Sequence, residues 1–270
     1  MKVTIVVDNI EHAGIPGEWG FCAYIEQNGK KLLLDTGASN LFADNAEKLN
    51  IDLKDVDFAV LSHAHYDHAN GMEKFFEINE KAPFYLQEGC GENCYFKKGF
   101  IRKYIGIPKG ITKKYQDRIE YVSGVYTVAD RIYLVSHSTP HLEQIGKKEM
   151  MYQKTKLGWK PDNFCHEQSL VLDTDGGLVI FNSCSHGGVV NIINEVKAAF
   201  PNKKITALIG GFHIFKHPEA EIRELAKLIK ETGIERIYTG HCSKERGYRI
   251  LREELGDMAG QFYVGMELEF

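Results

Sequence analysis

The feature that most constrains this chain is a dense run of metal-binding side chains after a short apolar segment. Residues 60–71 read Val-Leu-Ser-His-Ala-His-Tyr-Asp-His-Ala-Asn-Gly, so that His63, His65, Asp67 and His68 fall within six positions. Burying these imidazoles and a carboxylate without compensation would be costly, whereas a divalent cation neutralises the carboxylate and uses the imidazole lone pairs. The run therefore predicts a metal site just beyond a buried strand.

The backbone of this run can serve more than one cation. In an extended stretch, alternate side chains point the same way, so His63 and His65 are expected to face one position. The turn that follows can carry Asp67 and His68 to a second position nearby. One peptide could therefore serve two neighbouring metals.

Three further histidines each follow a strand-like apolar run in the second half of the chain: His186, His213 and His241. In open α/β sheets, ligands gather where strands end. We therefore expect these histidines to converge on the first cluster.

The order of predicted elements is similar in the two halves of the chain. The first half opens with a strand at residues 3–7 and a hairpin across Asn28 and Gly29. The second half opens with strands at residues 169–172 and 178–182, and βα units follow in each half. This pattern predicts two sheets covered by helices on the outside.

A single domain over residues 1–270 accounts for this organisation. Two segments fit it poorly: an irregular insertion around residues 88–118 and a loop excursion around residues 138–166. Long irregular segments of compact domains are commonly functional loops.

The motifs resemble those of the metallo-β-lactamase superfamily. The resemblance is carried by the dense run followed by two single histidines, namely His63, His65, Asp67, His68, His186 and His241. It implies an α/β fold, a four-layer αββα sandwich, with the dinuclear site at one edge. In that scheme one metal is held by His63, His65 and His186. The other is held by Asp67, His68 and His241.

Two further positions acquire roles from the same resemblance. Residues 34–37 read Leu-Asp-Thr-Gly, similar to an earlier signature of the family in which the acid, here Asp35, orients the metal loop. The family usually has a bridging Asp or Cys between the last two histidine motifs, but residues 210–213 read Gly-Gly-Phe-His without an acid. Either His213 substitutes as a ligand or active-site group, or solvent alone bridges the metals. His213 could also simply pack within its loop.

Residues 183–191, 210–213 and 240–242 together resemble a narrower group of the superfamily. This group is related to the archaeal synthase of a dihydropterin ribofuranosyl-aminobenzene phosphate. A phosphorylated small-molecule ligand, pterin-like or nucleotide-like, is what this resemblance suggests.

The resemblance implies a metal-dependent hydrolase in which two divalent cations activate a water molecule. Zinc is the expected metal, with manganese or iron as alternatives. A phosphoester or phosphodiester of a small metabolite is the favoured substrate. Lactone or thioester hydrolysis is the first alternative. A non-hydrolytic iron-binding redox protein is the second, although such relatives usually have a Glu in the metal loop where this chain has His65.

Candidate groups for proton transfer lie near the ligands. Asp67 could hold the attacking water and later receive a proton. Four side chains in or beside the excursion at residues 138–166 could protonate a leaving group: His137, His141, His166 and Glu167. We favour His166 and Glu167, because they directly precede a predicted core strand and so have fixed positions.

Composition limits the partners. The formal net charge is −4, with 33 basic and 37 acidic residues, so the overall balance does not predict nucleic-acid binding. Residues 97–118 are locally basic and could face a phosphate, although an ordinary solvated surface is the simpler explanation. Six cysteines without dense spacing indicate reduced thiols and a cytoplasmic protein. No apolar run approaches the ~18 residues of a membrane span. A homo-oligomer is one assembly that the sequence allows.

Overall fold

The computed structural model describes residues 1–270. Its strands are β1 (Lys2–Val7), β2 (Cys22–Gln27), β3 (Lys30–Leu34), β4 (Phe58–Val60), β5 (Phe84–Gln87), β6 (Tyr95–Lys98), β7 (Ile101–Tyr104), β8 (Ile119–Val122), β9 (Val125–Ala129), β10 (Ile132–Ser136), β11 (Met151–Thr155), β12 (Gly158–Pro161), β13 (Gln168–Thr174), β14 (Gly177–Phe181), β15 (Ile205–Ile209), β16 (Arg236–Thr239), β17 (Ala259–Gln261) and β18 (Glu267–Glu269). Its helices are α1 (Leu41–Lys48), α2 (Tyr66–Ala69), α3 (Met72–Ile78), α4 (Ile111–Lys114), α5 (Glu143–Lys148), α6 (Val189–Ala199), α7 (Glu219–Glu231) and α8 (Lys244–Leu255). None of these helices has the length and apolar character needed to cross a membrane.

The strands form two seven-stranded sheets and a smaller four-stranded sheet. The first large sheet has the order β18-β1-β2-β3-β4-β5-β8, and the second has the order β17-β16-β15-β14-β13-β10-β9. In each, antiparallel strands at one side join a parallel set at the other, β3-β4-β5-β8 in the first and β14-β15-β16-β17 in the second. The parallel sets matter for function because their carboxyl ends collect loops at one edge.

The core lies in three slabs, one between the large sheets and one on each outer face. Between the sheets, Ile5 of the first packs in one cluster with Leu170 of the second. On the outer face of the first sheet, Phe75 of α3 is buried in a separate cluster. On the outer face of the second sheet, Ile222 of α7 and Ile250 of α8 are buried in another. The four-layer αββα prediction is therefore confirmed.

The predicted hairpin across Asn28 and Gly29 is also confirmed. Gln27 pairs with Lys30, so the loop between β2 and β3 has two residues. Both loop residues have positive φ, 49° at Asn28 and 74° at Gly29. This conformation matches the twist of the strands on either side, and Asn-Gly is the sequence that adopts it most readily.

The expectation of irregular structure around residues 88–118 and 138–166 was wrong. These segments supply the small sheet, whose order is β12-β11-β6-β7, and Met151 of the second segment pairs with Phe96 of the first. Side chains of β6 and β7 are only half-buried or exposed, so the strands lack the apolar alternation by which sequence patterns reveal a sheet.

Candidate metal centre

Each candidate ligand loop follows a strand of a parallel set, so the loops meet at one edge of the sandwich. The run from His63 to His68 follows β4, whereas His186, His213 and His241 follow β14, β15 and β16. The ring centroids of His63 and His186 lie 4.9 Å apart, those of His68 and His241 5.0 Å apart, and those of His186 and His213 4.4 Å apart. The structure thus brings the three later histidines to the first cluster.

One group of ligands consists of His63, His65 and His186. One ring nitrogen from each lies within 4.8 Å of the others, and all three side chains are buried. Nε2 of His63, Nε2 of His65 and both ring nitrogens of His186 have no hydrogen-bond partner. Buried polar atoms are nearly always paired, so these orphaned lone pairs fit a cation.

The ring orientation of the first loop is fixed by Asp35 and Ser62. Both carboxylate oxygens of Asp35 accept from Ser62, one from its N–H and one from its hydroxyl, each at 2.7 Å. The Ser62 oxygen lies 2.9 Å from Nδ1 of His63, and Asp35 lies 2.8 Å from Nδ1 of His68. Since the Ser62 proton is directed to Asp35, each histidine donates from Nδ1 and presents the Nε2 lone pair to the centre.

A second group consists of Asp67, His68 and His241. Nδ1 of His241 lies 3.4 Å from the side-chain oxygen of Asn9, an arrangement that leaves Nε2 facing inward. The Nε2 atoms of His68 and His241 are 3.2 Å apart, and Asp67 Oδ2 is 3.9 Å and 3.6 Å from them. Ligands around a zinc ion with bonds of about 2.0–2.3 Å are about 3.3–3.7 Å from one another. The spacing fits a shared cation.

The protonation states of four of the five candidate imidazole ligands agree with this interpretation. At His68, burial opposes the charged ring, but the carboxylates of Asp35 and Asp67 outweigh burial and raise the pKa. Burial, together with neighbouring imidazoles, lowers the pKa of four rings well below the ordinary histidine value: His63, His65, His186 and His241. A neutral imidazole keeps one lone pair, which is the form that binds metals. The donor sets therefore fit divalent cations such as Zn²⁺.

Several residues of the centre have left-handed backbone conformations. Positive φ values occur at Asp35 (60°), Ser185 (53°), His213 (51°) and His241 (43°). Such conformations are uncommon outside glycine and cluster at functional sites, where the surrounding structure enforces them. At His241 the enforcing contacts come from Asp8, which accepts from the His241 N–H at 2.7 Å.

The structure places His166 and Glu167 behind the ligand loops. Nδ1 of His166 accepts from the Ala64 N–H at 3.1 Å, and Nε2 lies 3.2 Å from Asp162. Glu167 accepts from the N–H groups of His186 and Gly187 at 2.9 and 2.8 Å. Both side chains are completely buried and neither lines the cavity described below. This geometry favours positioning of the ligand loops over the proton donation predicted from the sequence.

Glu167 is itself held by a buried cluster of charges. His137 lies between two carboxylates, with Nε2 2.5 Å from Glu167 and Nδ1 2.8 Å from Glu195 of α6. Burial opposes the imidazolium, but the two carboxylates outweigh it and raise the pKa of His137 to about 10. His137 is therefore a cation at neutral pH. Sequence reasoning gave Glu195 no role, because its helix position looks like any amphipathic one.

His213 lies at the wall of the centre. Its Nδ1 has no hydrogen-bond partner, and its backbone N–H donates to Sγ of Cys242 at 3.1 Å. On the other side, Nε2 is 3.8 Å from Glu149. The position is compatible with contact to a metal or to a substrate, which is one of the alternatives that the sequence left open for His213.

A cavity of about 330 Å³ opens over the candidate ligands. Its lining includes His65, Asp67, His186 and His241. Its aromatic lining residues are Trp19, Tyr66, Phe96 and Phe215, and its lysines are Lys103 and Lys216. The sequence pointed to a basic segment containing Lys103, but Trp19, Phe215 and Lys216 carried no local signal, since they come together only in the fold.

Comparisons with known proteins agree with this architecture. Residues 19–147 match the sequence model of the metallo-β-lactamase superfamily. The chain is 28% identical to the 7,8-dihydropterin-6-methyl-4-(β-D-ribofuranosyl)-aminobenzene-5'-phosphate synthase of Methanocaldococcus jannaschii, with 93% of this chain and 88% of the relative covered.

Two solved structures extend the comparison. Tm1679, described as a metal-dependent hydrolase of the beta-lactamase superfamily, matches with a TM-score of 0.85 and 26% identity over 100% of this chain and 99% of the other. A diphosphatase from the PhnP family matches with a TM-score of 0.57 and 13% identity over 100% of this chain and 97% of the other, which shows a shared fold.

Proposed function

Because the chain carries a metallo-β-lactamase superfamily domain, we propose that it is a metal-dependent hydrolase of a phosphoester or phosphodiester in a small, ring-bearing metabolite. The observation that carries this proposal is the cavity, which joins the candidate ligands to aromatic rings and to lysines. A ring can stack on the aromatic side chains, and a phosphoryl group can reach the lysines and the ligand edge together.

The lysines at the mouth of the cavity are available for an anion. Lys103 lies 5.7 Å from the Tyr66 ring, and Lys216 lies 4.7 Å from the Phe215 ring. Both are exposed, and neither forms a salt bridge with a carboxylate. Lysine is a common phosphate-binding side chain, and a substrate phosphate would supply the missing counter-charge.

The residues around the centre have separate tasks in this reaction. Bound divalent cations would supply Lewis-acid polarisation of the phosphoryl oxygen and a lowered pKa for the attacking water. His63, His65 and His186 would hold one cation, and Asp67, His68 and His241 the other. Asp67 also lines the cavity, so its carboxylate is placed to accept the proton of the attacking water. Asp35 and Glu167 keep the ligand loops in place from behind.

The name of the archaeal relative bears on the substrate. That protein is a synthase of a phosphorylated compound containing a pterin and a benzene ring. The aromatic lining of the present cavity supports a ring-bearing phosphate as the ligand. Turnover measurements distinguish bond cleavage from bond formation.

The first experiment is elemental analysis of the purified protein combined with a substrate screen. Chromogenic phosphomonoester, phosphodiester, lactone and thioester substrates are each assayed with Zn²⁺, Mn²⁺ and Fe²⁺. We expect phosphoryl turnover that disappears on chelation, in His63→Ala and, for the most part, in Asp67→Ala. Faster turnover of lactones or thioesters would replace the proposal with acyl hydrolysis. Stoichiometric metal without any hydrolysis would contradict it.

Lysine substitutions test the phosphate assignment separately. Lys103→Ala and Lys216→Ala should each lower kcat/KM for a phosphoryl substrate by about 10- to 100-fold, because a hydrogen bond to a charged group contributes about 1.5–3 kcal/mol. Lys98→Ala is the matched control, since Lys98 is exposed on the same hairpin as Lys103 but does not line the cavity. Equal losses in all three variants would argue against a phosphate site at the cavity mouth.

A further inference from the structure

The centre contains a buried sulfur that the ligand sets above do not use. Cys184 precedes His186 by two residues, and its Sγ lies 3.3 Å from Nε2 of His68. The same sulfur is within 4.8 Å of ring nitrogens of His63, His186 and His241. It therefore lies close to histidines of both candidate metal groups.

The surroundings of Cys184 differ from those of an ordinary packed thiol. Two other buried cysteines, Cys22 and Cys90, lie within the apolar cluster on the first sheet. Cys94 belongs to the same cluster and lies within 4.8 Å of ring nitrogens of His65 and His166, but it does not line the cavity. Cys184 and Cys242 belong to none of the apolar clusters and instead line the cavity. Buried cysteines commonly behave as small hydrophobic side chains, so a thiol among histidine nitrogens calls for another explanation.

The neighbouring histidines have free lone pairs that would hold a cation next to this sulfur. Nε2 of His63 and both ring nitrogens of His186 are buried without hydrogen-bond partners, although His186 is within reach of the Cys184 sulfur. The segment that would supply a bridging acid, residues 210–213, contains none. The chain thus has no bridging ligand at residues 210–213, where the family resemblance placed one. It does have a sulfur close to both groups of metal ligands.

We propose that Cys184 is a metal ligand, and that its sulfur is shared between the His63–His65–His186 group and the Asp67–His68–His241 group. The thiol loses its proton to solvent as the sulfur–metal bond forms, and no electrons are transferred. Thiolate is a strong ligand for zinc and other borderline-soft cations. In this arrangement Cys184, and not His213 or solvent alone, bridges the two metals.

Cys242 has a supporting part in this arrangement. Its Sγ lies 3.5 Å from the Cys184 sulfur and accepts the backbone N–H of His213. Gly211 allows this approach, because a Cβ there would collide with the Cys242 sulfur. Cys242 can therefore donate its S–H to the Cys184 sulfur, while the His213 N–H holds the Cys242 sulfur in place.

The inference deepens the proposed function, and its test does not depend on turnover. The protein is loaded with Co²⁺, and the near-ultraviolet thiolate-to-cobalt charge-transfer absorption is recorded together with the bound metal. We expect the absorption in the unaltered protein and in Cys242→Ser. Cys184→Ser should lose the absorption, and its affinity for the second cobalt should fall by about tenfold or more.

Two further measurements protect the test against misfolding of the serine variant. Cys184→Asp should restore two bound cobalt ions without the charge-transfer absorption, because a carboxylate can bridge two metals in place of the thiolate. In the unaltered protein, bound Zn²⁺ should protect Cys184 from alkylation, as read by peptide mass mapping, while the exposure of Cys165 to the reagent should be unchanged.

The outcomes separate this inference from the proposed function. Unchanged charge-transfer absorption in Cys184→Ser, absorption lost only in Cys242→Ser, or cobalt binding without such absorption would overturn the ligand assignment. Loss of the absorption in Cys184→Ser without any phosphoryl turnover by the unaltered protein would support the ligand and reject the hydrolase. A protein that binds no cobalt would reject both.

Discussion

Residues 62–68 and the segment around His186 supply ligands from the two large sheets, yet hydrogen bonds hold them at different atoms. In the first loop, Ser62 and Asp35 bond the outer ring nitrogens of His63 and His68. In the second, the ring of His186 has no hydrogen bond, and Glu167 holds only the backbone. A hydrogen bond to the ring fixes the tautomer of a histidine. A hydrogen bond to its backbone fixes only the position of the residue and leaves the ring free to rotate.

The free ring is oriented by packing instead. His186 stacks on Phe164 with an interplanar angle of 7° and a centroid distance of 5.0 Å. The two sides of the centre therefore depend on different physics, with local hydrogen bonds on the first and a buried charge cluster plus stacking on the second. Variants can separate these contributions.

The largest effect is expected from Asp35→Ala, which removes the hydrogen bonds of the first loop. The variant leaves three buried donors without acceptors: the N–H and hydroxyl of Ser62 and Nδ1–H of His68. Since each orphaned donor costs about 1–3 kcal/mol, the three together should lower the free energy of unfolding by roughly 3–9 kcal/mol. Metal affinity should fall by about 10- to 100-fold.

Denaturant unfolding and metal titration of the same preparations check this prediction. Asp55→Ala is the control, because Asp55 is exposed and only pairs with Lys31. If Asp35→Ala kept the metal affinity of the unaltered protein, the hydrogen bonds to the rings of the first loop would not be needed for metal binding. The proposed difference between the two loops would then be wrong.

A smaller effect, with a distinct pH dependence, is expected on the second side from His137→Gln. Removing this cation leaves Glu167 and Glu195 without their shared partner, and loss of one member of a buried charge pair costs about 3–5 kcal/mol. Since the carboxylates raise the pKa of His137 to about 10, above its unfolded value, the stabilisation is complete below the unfolded pKa. It is lost as the pH rises through about 10.

The measurement is the difference in unfolding free energy between the unaltered protein and His137→Gln at several pH values. This difference should be largest near the acidic end of the stable range and should shrink toward alkaline pH. His141→Gln is the matched control, because His141 lies nearby with a side chain that is 73% exposed. A pH-independent difference would show that His137 is not charged between the carboxylates.

The sequence was informative where the signal is local and uninformative where contacts join distant segments. The ligand run from His63 to His68 follows its strand within a few residues, so spacing alone exposes it. The pairing of His137 with Glu195 spans 58 positions, and neither residue has an unusual neighbourhood in the chain. The sequence analysis also missed the small sheet. Its strands are half-exposed, and they pair between segments that are distant in the chain.

The smallest of these effects, and the one that decides between two roles, concerns His166. Nδ1 of His166 accepts the Ala64 N–H, and Ala64 lies between two ligands, so His166→Leu should cost about 1–3 kcal/mol in unfolding free energy and weaken metal binding modestly. Acting through Ala64, the change should leave the pH profile of kcat unaltered once metal is saturating. His166→Gln, whose amide oxygen can accept the Ala64 N–H, should recover most of the stability. A proton donor would behave differently: the alkaline limb of the pH profile would shift or vanish in both variants at full metal occupancy, and the sequence-based assignment would then be restored.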